Sequence, residues 1–462
     1  MTQVEQLAAF VERMSYENLS EAARQQLKIR ILDAIGCAIG ALEGEPIRLL
    51  KAQIEEFDGA GHCTLIGGGK TAPDRTAFYN SALVRYLDFN DGYLAKGETC
   101  HPSDNLGTVL AASEYANANG REFLTALAVA YQVQCRLSDV APVRAKGFDH
   151  TTQGSYAIAA GASKALRLDK VRTAHAISIS GTAFNGLRVT RTGALSHWKG
   201  LAYPNAAFCC THATFLAMRG ITGPLEVFEG NKGFMDAIAG RFELNWSKED
   251  LGRVTQTILK RYNAEIHSQS CLEGILELKQ THGFNPEGVV KIEIEIFDVA
   301  YHIIGGGKEG DKTIVRTKEE ADHSLPYLAA VAILDGQVMP EQYRLERIQR
   351  QDVQTLLRKV LVRPLKDYSR RFPDEMPCRI TVTLRDGQRF VNEKRDYEGF
   401  RTRPMRWETV VEKFERLSTP YTHPSLRGEI VDAVANLEKI QVRELTGLLT
   451  LMLQTHHKGA DR

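Results

Sequence analysis

The sequence predicts a mainly α fold: a large all-helical domain formed by both chain ends, with a smaller α+β domain inserted between them. Three observations carry this expectation. From residue 5 to about 265, apolar residues recur at helical spacing and strand signals are few. After about residue 267, alternating and hairpin patterns take over. From Trp407 helical spacing returns. At 462 residues the chain is too long for one compact core, so two domains are expected. The boundaries are set at 1–267 and 403–462 for the helical domain and 268–402 for the α+β domain.

The elements follow in order. Leu27, Ile31, Ala34, Ile35, Ala38, Ile39 and Leu42 share a helix face, and Thr76 to Asp88 (TAFYNSALVRYLD) is a second helix-like run. Phe123, Leu124, Leu127, Ala128 and Tyr131 mark another. Segment 155–181 is rich in Ala, Gly and Ser, which lets helices approach closely. Val289 to Phe297 (VVKIEIEIF) alternates apolar and charged residues, as a half-buried strand does. Pro326 begins a helix, where proline is well placed, and a charged helix is expected around Glu341 to Leu357. Arg379 to Leu384 and Gln388 to Asn392 flank Arg385-Asp386-Gly387 as a β-hairpin. From Trp407 the helical pattern runs through Ile430, Val431, Val434 and Leu437 to Leu453.

Composition excludes several classes. Lys+Arg number 58 against 57 Asp+Glu, without the basic excess of a polyanion binder, so no nucleic-acid partner is expected. The longest apolar runs, such as that from Leu325, are about half of a bilayer span, so no membrane partner is expected either. The N-terminal MTQVEQLAAFVERM carries acids and no uninterrupted apolar stretch, unlike a secretory signal. The eight cysteines are scattered without a C-x-x-C pair, which is neither a zinc framework nor a disulfide scaffold. A cytoplasmic protein without a metal is the plain expectation. Gly67-Gly68-Gly69-Lys70-Thr71 is not a phosphate-binding loop, because Thr64 stands where the first glycine belongs and Pro73 follows. Gly305-Gly306-Gly307-Lys308 is expected to be a loop after a strand.

One interval concentrates chemistry. Tyr86 to Leu106 (YLDFNDGYLAKGETCHPSDNL) holds Asp88, Asp91, Lys96, Glu98, His101 and Asp104 in a polar loop between two helical runs. His101 precedes Pro102, which disfavours helix at the histidine, and a fixed imidazole is suited to moving protons. The tripeptide HPS also occurs at His423, so it is the acid-rich surroundings that single out His101. Asp88 stands three residues after Arg85 and could simply be its ion-pair partner. His150 sits in the glycine-flanked turn Gly147 to Gly154 before the small-residue helix. Lys199 and Lys260 read individually as surface charges, His267 as a residue near the domain junction, and Tyr327 as a packed aromatic.

Taken together, LDFNDGYLAKGETCHPSDN, GFDHTTQGS, LKRYNAEIHSQS and ADHSLPYLAAVAILDG resemble the signature segments of the MmgE/PrpD family, in the same order and over nearly the whole chain. That family includes 2-methylcitrate dehydratase and cis-aconitate decarboxylase. The resemblance implies that the inserted α+β domain is a lid, that the protein is a homodimer, and that it works without metal or organic cofactor. It implies catalytic roles for Asp88, His101, His150, Lys199, Lys260 and Tyr327, with Asp91, Gly92 and His267 at the substrate. Gly92 departs from the pattern, since a hydroxyl residue commonly stands there. The loop wording looks closer to the dehydratase branch.

The expected reaction is elimination of water from a tricarboxylic β-hydroxy acid such as 2-methylcitrate or citrate, as in propionate catabolism. The lysines would pair with substrate carboxylates, and the two histidines would remove one proton and supply another, their assignment left open. Decarboxylation of cis-aconitate, epimerisation of a small dicarboxylate such as iminodisuccinate, and a catalytically silent helical binding protein are the alternatives.

Overall fold

The structure, a computed structural model, describes residues 1–57 and 59–453. The chain divides into two compact units, a helical one (Met1–Arg188, Gly200–Thr257 and the chain from Arg406) and an α+β one (Val189–Lys199 and Ile258–Met405). The mainly α expectation holds. The α+β unit also takes in Val189–Lys199 and the chain from Ile258, which the sequence alone assigned to the helical domain. The reason is pairing that no local pattern announces. Leu259 N–H donates to the Gly399 carbonyl, Asn263 N–H to that of Val338, and Lys199 is ion-paired with Asp322.

In the helical unit, helix Glu21–Gly40 packs against Trp407–Ser418, so the two chain ends share one core. Gly36 permits it: a Cβ there would stand 3.2 Å from Phe414 Cα. Within that contact the buried Lys413 Nζ lies 2.7 Å from Asp33 and donates to the Phe89 carbonyl. Gly120–Val140 packs on Thr151–Ala165. At Gly161 an added Cβ would come within 2.9 Å of Ala130 Cβ, which is what the small-residue stretch is for.

Four short strands were not anticipated. β1 (Cys63–Thr64) and β2 (Lys70–Thr71) pair antiparallel around Gly67, Gly68 and Gly69, all at positive φ, as a glycine turn requires. β3 (Tyr93–Ala95) and β4 (Glu98–Cys100) form a hairpin inside the polar loop, turning through Gly97 at φ +86°.

The α+β unit is built on a four-stranded sheet of order β6-β5-β7-β8, where β5 is Val289–Ile296, β6 Val360–Pro364, β7 Cys378–Leu384 and β8 Arg389–Lys394. β5 and the β7–β8 hairpin match the sequence reading, while β6, parallel to β5, was missed. Helices Gln269–His282 and Leu325–Asp335 pack on the sheet and each other. The charged helix expected over Glu341 to Leu357 is instead three short pieces, Pro340–Tyr343, Leu345–Ile348 and Gln351–Leu357. Arg344 and Arg350 are extended between them. Arg347, in the second piece, bridges Asp335 and Asp352. The Gly305 loop follows helix Asp298–Ile304, not a strand directly.

Candidate functional site

Two buried polar clusters, one in each unit, hold most of the residues singled out by sequence. In the helical unit, helix Pro73–Tyr86 ends and Asp88 turns the chain with a left-handed φ of +55°. Its Oδ1 lies 2.6 Å from Arg85 Nη1, so the ion pair weighed from sequence is present. Arg85 Nε also lies 3.7 Å from Asp104 Oδ2, and Asn90 Nδ2 donates to Asp104 Oδ1 (2.8 Å) and to Ser103 Oγ (2.9 Å).

The β3–β4 hairpin then returns the chain so that residues 91 and 101 adjoin. Asp91 ties the fold of this loop. Its Oδ1 accepts the Ser103 amide (3.0 Å) and hydroxyl (2.7 Å), its Oδ2 accepts Tyr131 Oη–H (2.8 Å), and its carbonyl oxygen lies 2.7 Å from His101 Nδ1. Burial pushes the Asp91 carboxyl upward, against the lowering effect of the Ser103 and Tyr131 hydrogen bonds. The Asp91 carboxylate is thus taken up inside the protein. Through these bonds it positions the loop. Gly92 beside it is buried. Glu98 has a similar anchoring part, accepting the Val143 and Arg144 amides at 3.1 Å each.

A carbonyl oxygen can only accept, so His101 Nδ1 carries a proton, and in the neutral ring Nε2 has the lone pair. The rings of His101 and His150 meet edge to face with centroids 5.6 Å apart. His150 opens helix Thr151–Ala165, its Nε2 3.7 Å from Asp149 Oδ1, and its ring stacks on Tyr203 at 5.8 Å. Tyr203 is fixed in turn by donation to Asn105 and Gln134. Gly154 makes room for it, since a Cβ there would fall 2.5 Å from the Tyr203 ring.

In the α+β unit the centre is Asp322, fully buried. Its Oδ1 takes Lys199 Nζ and His323 Nδ1, each at 2.6 Å, and Oδ2 takes Lys318 Nζ at 2.8 Å. Lys199 Nζ is also 3.0 Å from His323 Nδ1. Burial alone would raise the Asp322 carboxyl, but Lys199, Lys318 and His323 hold it far below the carboxylate range. Lys312, largely buried nearby, is lowered by burial and by Lys199, against the raising effect of Glu309, Glu265 and Asp322. Lys260 is fully buried, not a surface charge. His267 is buried with Nδ1 2.6 Å from Glu265 Oε1.

Tyr327 lies on helix Leu325–Asp335. It is fully buried, its hydroxyl donates to the Gln342 carbonyl, and its ring neighbours Tyr343. These contacts pack it within the α+β unit. Sequence reading missed Ser103, Tyr131, Glu265, Asp322 and His323. The signals were faint: an acid two residues before His267, and an adjacent Asp-His ahead of the Pro326 helix.

Residues 5–247 match the MmgE/PrpD N-terminal domain and residues 262–439 the MmgE/PrpD C-terminal domain. The chain belongs to the MmgE/PrpD family. Among curated relatives, the cis-aconitate decarboxylase of Mus musculus is 25% identical, covering 97% of this chain and 93% of its own length. The 2-methylcitrate dehydratase of Salmonella typhi is 26% identical over 82% of each chain. An alkylcitrate dehydratase of a fungal species is 27% identical, over 89% of this chain and 87% of its own. No helix among the described residues of this MmgE/PrpD protein is long and apolar enough to cross a membrane.

Proposed function

We propose that this protein is a cytoplasmic, cofactor-independent hydro-lyase that dehydrates 2-methylcitrate, or citrate, to the corresponding cis-aconitate. The observation that carries this reading is the His101–His150 pair, with His101 oriented through Nδ1 by the Asp91 carbonyl. His101 Nε2 takes the proton from the carbon beside a substrate carboxylate. The electron pair of that C–H bond becomes the new C=C bond as the C–O bond breaks. His150, with Asp149 beside it, gives its proton to the departing hydroxide, so water leaves. Asp88 keeps Arg85 and the loop in place. Lys199 and Lys260 bind substrate carboxylates and offset the charge that develops on the carbanion-like carbon. The names of the Salmonella typhi and fungal relatives support dehydration.

The second reading is decarboxylation of cis-aconitate, favoured by the extent of the match to the mouse protein. Purified protein is tested with 2-methylcitrate, citrate and cis-aconitate, following alkene absorbance and carbon dioxide together. Alkene formation without carbon dioxide supports dehydration, and carbon dioxide from cis-aconitate overturns it. Deuterium uptake without either product would point to epimerisation.

A further inference from the structure

His267 has an arrangement that its place in the sequence does not announce. Glu265 caps the short turn Ile266–Ser268, and its Oε2 accepts the His267 amide at 2.7 Å. Its other oxygen, Oε1, lies 2.6 Å from His267 Nδ1. One carboxylate therefore grips both the backbone and the ring of the residue two positions on. Glu265 is itself held on both sides: its amide donates to the Asp322 carbonyl (3.0 Å), and its carbonyl accepts Ser268 Oγ–H (2.7 Å).

The carboxylate stays ionised. Burial would raise it, but His267, His323 and Lys260 outweigh burial and hold it at about 2. Facing a carboxylate, which only accepts, Nδ1 carries the proton. The ring sits against Phe297 and Phe372 (centroids 5.8 and 5.6 Å away), which stack on each other at 4.2 Å. Those apolar faces leave the imidazole one polar outlet, Nε2, which is buried and has no hydrogen-bond partner among the described residues. A buried ring nitrogen left so is costly unless something else meets it.

We propose that Glu265 is a positioning residue, which holds the Nδ1–H of His267 on its carboxylate and stabilises the imidazolium, so that Nε2–H donates to a carboxylate oxygen of the substrate. The substrate class rests on the reading under Proposed function; the fixed ring does not. In this role His267 binds rather than moves a proton, and Glu265 orients its ring and offsets its positive charge, which faces the negative charge of the substrate.

The test uses the full chain with 15N-labelled histidine, His267 being assigned by the signal lost in His267→Asn. Tricarballylate, a tricarboxylate without a hydroxyl to eliminate, is the probe. The native chain is expected to show His267 protonated at Nδ1, and at Nε2 as well once tricarballylate is bound. In Glu265→Gln that response is expected to be lost and kcat for 2-methylcitrate to fall about 10-fold or more, with KM changed less than about threefold. Glu265→Asp is expected to restore part of kcat. A native His267 protonated only at Nε2, or a Glu265→Gln chain keeping both the response and the turnover, overturns the proposal. Should Glu265→Gln fail to fold, the native tautomer and its response to tricarballylate decide alone. A chain that turns over neither acid, yet shows the response only with Glu265 present, overturns the dehydratase reading and leaves the role of Glu265 supported.

Discussion

The carbonyl oxygen of Asp91 and the Nδ1 of His101 are 2.7 Å apart, joined across the β3–β4 hairpin. This one bond sets which nitrogen of His101 is basic. It depends on the Asp91 side chain, which pins the same loop to Ser103 and Tyr131. Asp91→Ala leaves three buried donors without their acceptor. It is expected to cost about 2–4 kcal/mol in urea unfolding and to lower kcat along with it. A variant of native stability and turnover would show that the loop does not need this knot.

His101→Gln and His150→Gln are each expected to reduce kcat by about 100- to 10,000-fold while leaving the thermal midpoint nearly unchanged. Turnover and calorimetry on the same preparations separate lost chemistry from lost folding.

Lys199→Ala removes one of the cations on the buried Asp322 carboxylate. Lys318 and His323 remain, so the expected loss of stability is about 2–3 kcal/mol, below that for breaking an isolated buried pair. KM for the tricarboxylate should rise as well. Steady-state kinetics beside urea unfolding checks both.

Stability should fall in acid, and the sign follows from the direction of the shifts. Glu265 and Asp322 both have carboxyls lowered on folding, so the unfolded chain binds more protons. For Glu265 the contribution is whole above its ordinary 4.5 and is lost as pH falls toward about 2. It is on the order of 3 kcal/mol. Urea unfolding at stepped pH is expected to show this slope, and Glu265→Gln to flatten it.

Tyr327→Phe removes one hydrogen bond, to the Gln342 carbonyl, and keeps the ring. It is expected to lower stability by about 1 kcal/mol and leave kcat unchanged. A large fall in kcat would instead support a catalytic part for Tyr327.

The helices, the β5 strand and the β7–β8 hairpin were legible because each is written in a local period, such as the alternation of Val289 to Phe297. β6 was not, since VLVRP is too short to show a period and is specified by its parallel neighbour β5. The charged run over Glu341 to Leu357 misled for the complementary reason. Its composition suits a helix, but Arg344 and Arg350 are extended and divide it into three short pieces.

By itself the sequence determined the mainly α architecture, the inserted α+β segment and the polar loop around His101, all properties of neighbouring residues. Only the tertiary structure decided what those polar residues do. Asp91 and Tyr327 turned inward to hold the fold, while Asp322 and Glu265 emerged as the partners of Lys199 and His267. Burial makes an unpaired charge or donor too costly to keep, so each polar side chain takes its role from the partner that reaches it. That partner is often far away in the sequence, as Asp322 is from Lys199.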